Sequence, residues 1–243
     1  MNLLILGANS DIAQEIARRF ASRKKGDIFL ASRNLHDLDK QARDLSIRYG
    51  IHCEALFFDA LDYTSHAGFY ESLDPKPDIV IVSFGLLGNQ ETAQANFQEA
   101  KDIIETNYLG VVSILEIVAS DFERRRNGFI IAIGSVAGIR GRKSNYMYGS
   151  AKGGMEVYLG GLRNRLHHCG VRVMTVLPGF VRTKMTEGMQ LPGFVSAEPT
   201  DVAADIYRAY EKNKDVVYSK WFWKWIMAGI RWIPEFIFKR LKL

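Results

Sequence analysis

Gly128-Phe-Ile-Ile-Ala-Ile-Gly134 runs without a break into Ser135-Val-Ala-Gly-Ile-Arg-Gly-Arg-Lys-Ser-Asn-Tyr-Met-Tyr-Gly-Ser-Ala-Lys152. A short apolar run bounded by glycines has the length and composition of a strand buried on both faces. Ser135 is then the residue at the C-terminal end of a central strand, where open α/β sheets place their ligands. Beyond a polar loop, Tyr148 and Lys152 stand four residues apart at the start of a helical stretch, and so on one helix face. A free phenol titrates near ~10, and a neighbouring ammonium favours the phenolate, so Lys152 is expected to lower the Tyr148 pKa. Ser135 is placed to hydrogen-bond a carbonyl that Tyr148 protonates. Taken alone, a Tyr and a Lys at this spacing fit a solvated helix surface equally well. The rest of the chain decides.

Working outward, apolar runs recur at 2–7, 27–31, 52–58, 78–83, 171–177 and 215–218. Helical patterns lie between them at 11–24, 97–126, 146–168 and 199–212. Seven strands alternating with helices predict an α/β fold, a Rossmann-like doubly wound parallel sheet. The first strand ends in Gly7-Ala-Asn-Ser-Asp-Ile-Ala13, a tight turn into a helix N-terminus. Backbone N–H groups and the helix dipole make such a turn an anion site. Arg33 follows the second strand with no acid beside it. In dinucleotide folds an Arg there accommodates a ribose 2′-phosphate, whereas an acid takes the 2′-hydroxyl. A solvated loop Arg is the alternative. The glycine pairs 153–154 and 160–161 are costly inside a helix, and close contact between subunits would account for them. Residues 185–197 read as a mobile lid.

The order of Ser135, Tyr148 and Lys152 resembles the catalytic set of the short-chain dehydrogenase/reductases. Gly7 matches the first glycine of that family's phosphate loop, while Asp11 and Ala13 stand where two more glycines are usual. Ser83-Phe84-Gly85 replaces the usual Asn-Asn-Ala-Gly, and Pro178-Gly179-Phe180-Val181-Arg182-Thr183 matches the Pro-Gly-x-Val-x-Thr run. The resemblance spans roughly the first 218 residues. It implies NADP(H) as cofactor, held by Gly7, Asn9, Ser10, Asp11, Ile12, Arg33, Asp59, Gly85, Tyr148, Lys152, Pro178, Gly179, Val181 and Thr183. It also implies that Asp59 lies near the adenine, that Lys152 binds the nicotinamide ribose, and that the carbonyl of Asn107 holds a water in the proton relay. A homodimer or homotetramer is implied, and no metal site is expected.

The chain has 243 residues and a formal charge of +5. From residue 220 onward there are six basic residues and one acid, so the remainder is balanced, with 26 of each sign. A nucleic-acid partner is not expected, since the main domain has no basic excess of its own. Cys53 and Cys169 make no disulfide framework, which suggests reduced thiols and a cytoplasmic protein. Residues 1–218 are expected to form the cofactor-binding domain and 219–243 an amphipathic extension of it. That extension, from Trp221-Phe-Trp-Lys-Trp225 to Leu243, has no apolar run approaching the ~20 residues of a membrane span. Placed on one helix, Lys220, Lys224 and Arg231 would share a side, leaving an aromatic face suited to a membrane interface. Packing against another subunit is the alternative. Pro234-Glu235 predicts a second short helix.

One branch of the family is closer. Phe84-Gly-Leu-Leu-Gly-Asn89, the basic loop Arg140/Arg142/Lys143 and the ending Ile233-Pro-Glu-Phe-Ile-Phe-Lys-Arg240 resemble the decaprenyl-phosphoryl 2-keto-pentose reductases. These complete an epimerisation to the arabinose after a flavin-dependent oxidase partner makes the keto-sugar. The resemblance implies a lipid-linked keto-sugar substrate, a peripheral place on the inner face of the membrane, and a lipid phosphate met by Arg140, Arg142 and Lys143. A reductase of a soluble ketone or 3-oxoacyl substrate, and a non-catalytic NADPH-binding scaffold, are the rival readings. The intact Ser135, Tyr148 and Lys152 disfavour the scaffold.

Overall fold

In the structure, a computed structural model, residues 1–189 and 193–241 are described. Positions 190–192 of the expected lid, and Lys242 of the basic tail, lie outside them. The seven strands are β1 (Leu3–Leu6), β2 (Ile28–Ser32), β3 (Cys53–Phe57), β4 (Ile79–Val82), β5 (Phe129–Ile133), β6 (Arg172–Pro178) and β7 (Val216–Ser219). All pair in parallel in the order β3-β2-β1-β4-β5-β6-β7. The order reverses between β1 and β4, the switch point where doubly wound sheets open a crevice. Each strand falls within a residue or so of its expected place, because runs such as Ile79-Val-Ile-Val82 are buried throughout.

Side chains alternate between two cores. Leu3 and Ile5 face one layer with Ile16 and Phe20 of α1 (Asp11–Ala21), Leu38 and Leu45 of α2 (Leu35–Tyr49) and, from a later helix (Pro199–Glu211), Val202 and Ile206. Leu4 and Leu6 face the other. That layer is built from α3 (His66–Ser72), α6 (Gly110–Arg125) and α7 (Tyr146–Leu166), with α4 (Gln90–Ala95) and α5 (Phe97–Ile104) beside it. Val111, Leu115 and Phe122 of α6 and Leu159 of α7 fill it.

The expected helix over 97–126 is interrupted. A π turn, Glu105–Leu109, joins α5 to α6 with Asn107 in it, a feature common at functional sites. The first glycine pair of α7 also has a cause within the chain: Gly153 packs on the Gly138 backbone and Gly154 on the Tyr108 ring. A side chain added at Gly160 or Gly161 would meet nothing within 4 Å among the described residues, so only this second pair leaves room for another subunit.

After α8 (Pro199–Glu211) and β7, the tail forms α9 (Trp223–Trp232) and, past Pro234, α10 (Glu235–Phe238). The single-face expectation needs correcting. Lys220 precedes α9 at φ 50° and pairs with Asp201 at 3.6 Å. Trp223 and Met227, four apart, are buried against Val136, Leu177 and Val195, and Trp223 Nε1 donates to the Val195 carbonyl at 3.2 Å. Trp221, Trp225, Trp232 and Phe236 remain exposed.

Candidate active site

The cleft at the switch point is formed by the loops that leave β1, β4, β5 and β6. The β1 loop begins at Gly7, whose φ of +81° favours glycine and whose missing side chain lets the Phe84 backbone approach. Ser10 caps α1 by accepting from Ala13 N at 3.2 Å, and its hydroxyl meets that of Ser83 at 2.8 Å. Asn9 donates to Ser32 Oγ and the Asn34 carbonyl, tying this loop to the one that carries Arg33. Asp11 turns its carboxylate onto the backbone N–H of Lys184, 2.7 Å away. The missing second glycine has therefore become a link to the start of the lid segment.

At the end of β5, Ser135 is extended and opens a 3-10 turn, Val136–Gly138, by accepting from Ala137 N at 3.1 Å. A polar loop then leads into α7, whose first two turns carry Tyr148 and Lys152. Lys152 is 3% exposed. Its Nζ donates to the Ile133 carbonyl at 3.0 Å and lies 5.8 Å from the Tyr148 ring centroid. Asn107 is buried beside them. Its Nδ2 donates to the Leu86 and Ile103 carbonyls and its Oδ1 accepts from Leu86 N. A side chain on Gly85 would strike Asn107 Oδ1, so the close backbone approach expected at Gly85 serves this joint.

Burial dominates the electrostatics here. It pushes the Tyr148 phenol up to about 12, against a smaller downward pull from the Ser135 hydroxyl. It pushes the Lys152 ammonium down to about 8. The expectation that Lys152 lowers the Tyr148 pKa is thus reversed in this structure, because desolvation outweighs a charge lying over the ring rather than at the hydroxyl. The consequence suits proton donation: near neutral pH Tyr148 holds its proton while Lys152 is still mostly charged.

The expected residues divide into two groups. Asn9, Ser10, Asp11, Ile12 and Gly85 line the cleft from one side. Ser135, Tyr148, Lys152, Pro178, Gly179, Val181 and Thr183 line it from the other. Arg33 and Asp59 stand apart at the ends of β2 and β3. Arg33 is exposed, and Asp59 accepts from Leu61 N at 3.0 Å. Thr183 N donates to Thr186 Oγ1, which in turn donates to the Val181 carbonyl, so the segment over the cleft starts as an ordered turn.

The basic loop and the stretch read as a lid add three residues to the cleft beyond the expected catalytic and cofactor set. Met185 and Met189 add an apolar wall. Arg142 lies inside the cleft. Arg140, expected to meet a phosphate, is instead occupied by the tail: Nη1 donates to the carbonyls of Ile230 and Ile233 at 2.6 Å, Nη2 reaches Glu235 at 3.0 Å, and the guanidinium stacks on Phe238 at 3.7 Å. Carbonyls at the end of a helix attract a cation, which explains why this arginine turns away from the cleft.

The comparisons agree with this architecture. The chain is 36% identical over 242 residues to an uncharacterized oxidoreductase of Mycobacterium tuberculosis (strain H37Rv), covering 98% of this chain and 96% of that protein. It is 31% identical over 189 residues to an NADP-dependent 3-hydroxy acid dehydrogenase of Schizosaccharomyces pombe, covering 76% and 73%. A short-chain dehydrogenase from Sphingobium yanoikuyae, solved in complex with NADPH, superposes with a TM-score of 0.83 at 23% identity, over 99% of this chain and 96% of that one. The short chain dehydrogenase family profile matches residues 1–191. On that match and its architecture, the chain belongs to the short-chain dehydrogenase family.

Proposed function

We propose that the chain is an NADPH-dependent ketoreductase acting on a keto-sugar carried by a polyprenyl phosphate, of the decaprenyl-phospho-2-keto-pentose type. The observation that carries the reductase reading is the gathering of Ser135, Tyr148 and the buried Lys152 in one cleft, where burial raises the phenol and favours its protonated form. The residues present suit the dinucleotide: Gly7 and the α1 N-terminus for phosphate, Arg33 for a 2′-phosphate, and an Asp11 whose charge is already engaged. When bound, the nicotinamide supplies hydride. Ser135 holds the carbonyl oxygen and Tyr148 donates a proton to it as general acid. Lys152 keeps a positive charge beside the phenol, and the Asn107 carbonyl holds the water that returns the proton.

The lipid part of the reading rests on the tail. Trp223, Phe180 and Gly179 pack together where Gly179 and Phe180 line the cleft. The same tail exposes Trp225 and Trp232 beside Lys224 and Arg231, a composition suited to a headgroup surface. Assembly as a homodimer or homotetramer through the Gly160–Gly161 face of α7 belongs to the same reading, as does a flavin-dependent oxidase that supplies the ketone. A second reading, reduction of a soluble ketone or 3-oxoacyl compound, draws on the burial of Trp223 and Met227 within the chain.

The test is NADPH oxidation with a polyprenyl-phosphate 2-keto-pentose, generated by a partner oxidase, against a short soluble ketone. Faster turnover of the lipid-linked sugar supports the proposal. Preference for the soluble ketone would leave the reductase standing and remove the lipid.

A further inference from the structure

Arg142 is an unpaired cation inside the cleft. It sits on the loop between the Val136–Gly138 turn and α7, among Ser135, Asn145 and Tyr148. Among the described residues its one hydrogen-bond partner is the Val136 carbonyl, at a long 3.4 Å from Nη2. Its Nε is buried without a hydrogen-bond partner. No carboxylate pairs with it among the described residues, whereas Arg140, two positions earlier, is fully engaged by the tail. Burial weakens its hold on the proton without neutralising a guanidinium.

Arg142 is half-buried, and a charge drawn partly out of water with no counterion and an unpartnered Nε is costly unless something else completes it. A guanidinium offers a planar fork that fits two oxygens of a phosphate or carboxylate. The cofactor's pyrophosphate would be held by the Gly7 turn and the α1 N-terminus, which belong to the β1 loop and not to this one. We propose that Arg142 is the specificity residue that receives an oxyanion of the substrate close to the ketone carbon. The inference rests on the ketoreductase reading and narrows it: the favoured ketones carry a phosphate ester or carboxylate within a few bonds of the carbonyl. Arg140 and Lys143 take no part. Arg140 is held by the tail and Lys143 is exposed outside the cleft lining.

The experiment compares dihydroxyacetone, dihydroxyacetone phosphate and hydroxypyruvate with the wild type, Arg142→Met and Arg142→Lys. NADPH oxidation gives kcat/KM, and calorimetry gives binding to the enzyme–NADP+ complex. The two anionic probes separate phosphate from carboxylate. The expected result is that Arg142→Met lowers the anionic-to-neutral ratio of kcat/KM by about 10–100-fold, the worth of a charge-assisted pair, with partial recovery in Arg142→Lys. Equal losses for neutral and anionic ketones would make Arg142 a structural residue and overturn the proposal. A parallel loss of NADPH affinity would assign it to the cofactor and overturn it too. If no probe is reduced, the reductase reading fails for small ketones, and calorimetry still judges Arg142. Retained anion binding lost in Arg142→Met supports the site, and none in the wild type refutes it.

Discussion

Replacing Lys152 with Met should stabilise this protein while disabling it. The Lys152 ammonium lies almost wholly out of water and donates to a neutral carbonyl, that of Ile133. The fall in its pKa from 10.5 to about 8 corresponds to roughly 3 kcal/mol of destabilisation at pH 7 in the cofactor-free state. Met fills a similar volume without a charge, but it leaves the Ile133 carbonyl without that donor, which costs about 1–2 kcal/mol. The net expectation is a gain of about 1–2 kcal/mol. The sign of the pH dependence follows. A lysine whose folded pKa is depressed contributes stability that is present above the unfolded pKa and lost as pH falls through the folded one. Wild-type stability should therefore rise relative to the variant by roughly 2 kcal/mol between pH 7 and 9.5. Urea unfolding of both proteins across that range reads the difference directly and cancels other titrating groups, such as Cys53, which burial pushes up to about 12. A variant less stable than wild type at pH 7, or a difference that does not change with pH, would refute the burial argument.

Arg33→Ala should weaken NADPH binding about 10–100-fold and NADH hardly at all, since only NADPH presents a 2′-phosphate; equal losses measured by fluorescence titration would show that the exposed Arg33 does not read the cofactor. In the tail, Trp223→Ala should cost about 3–5 kcal/mol of stability by thermal or chemical unfolding, as for a buried indole. Trp225→Ser with Trp232→Ser should leave stability within about 0.5 kcal/mol, because both rings are exposed. The same pair should lower binding to anionic vesicles severalfold in a sedimentation assay. Unchanged vesicle binding would assign the exposed rings to a protein contact.

The parts of the molecule that were legible in the sequence are those set by local pattern. Ile79-Val-Ile-Val82 and Phe129-Ile-Ile-Ala-Ile133 read as buried strands because both of their faces are covered. Ser135, Tyr148 and Lys152 were legible because strand end and helix face fix their spacing. What stayed hidden depends on contacts between distant segments. Asp11 looked like a flaw in the phosphate loop until its partner, Lys184, 173 residues away, was in place. Arg140 and Arg142 read as one basic loop. One faces the tail and the other the cleft, and the partners of Arg140 lie 90 or more positions on. Trp223 and Met227 at helical spacing describe a membrane face and a packed face equally well, and only the groove beside Val136 and Leu177 decides between them. The π turn at Asn107 interrupts an apolar periodicity that continues on both sides of it.

The central claim is that Tyr148 delivers a proton while hydride leaves the nicotinamide for a ketone. Single-turnover reduction of a keto-sugar by NADPH deuterated at C4 tests it most directly, with wild type and Tyr148→Phe compared at pH 7. Deuterium should appear at the carbinol carbon. The variant should keep NADPH binding and lose about 10²–10⁴ in rate, the contribution of a positioned acid, while Tyr146→Phe, two residues earlier, stays active. No deuterium at that carbon, or a Tyr148→Phe rate within a few-fold of wild type, would contradict the account.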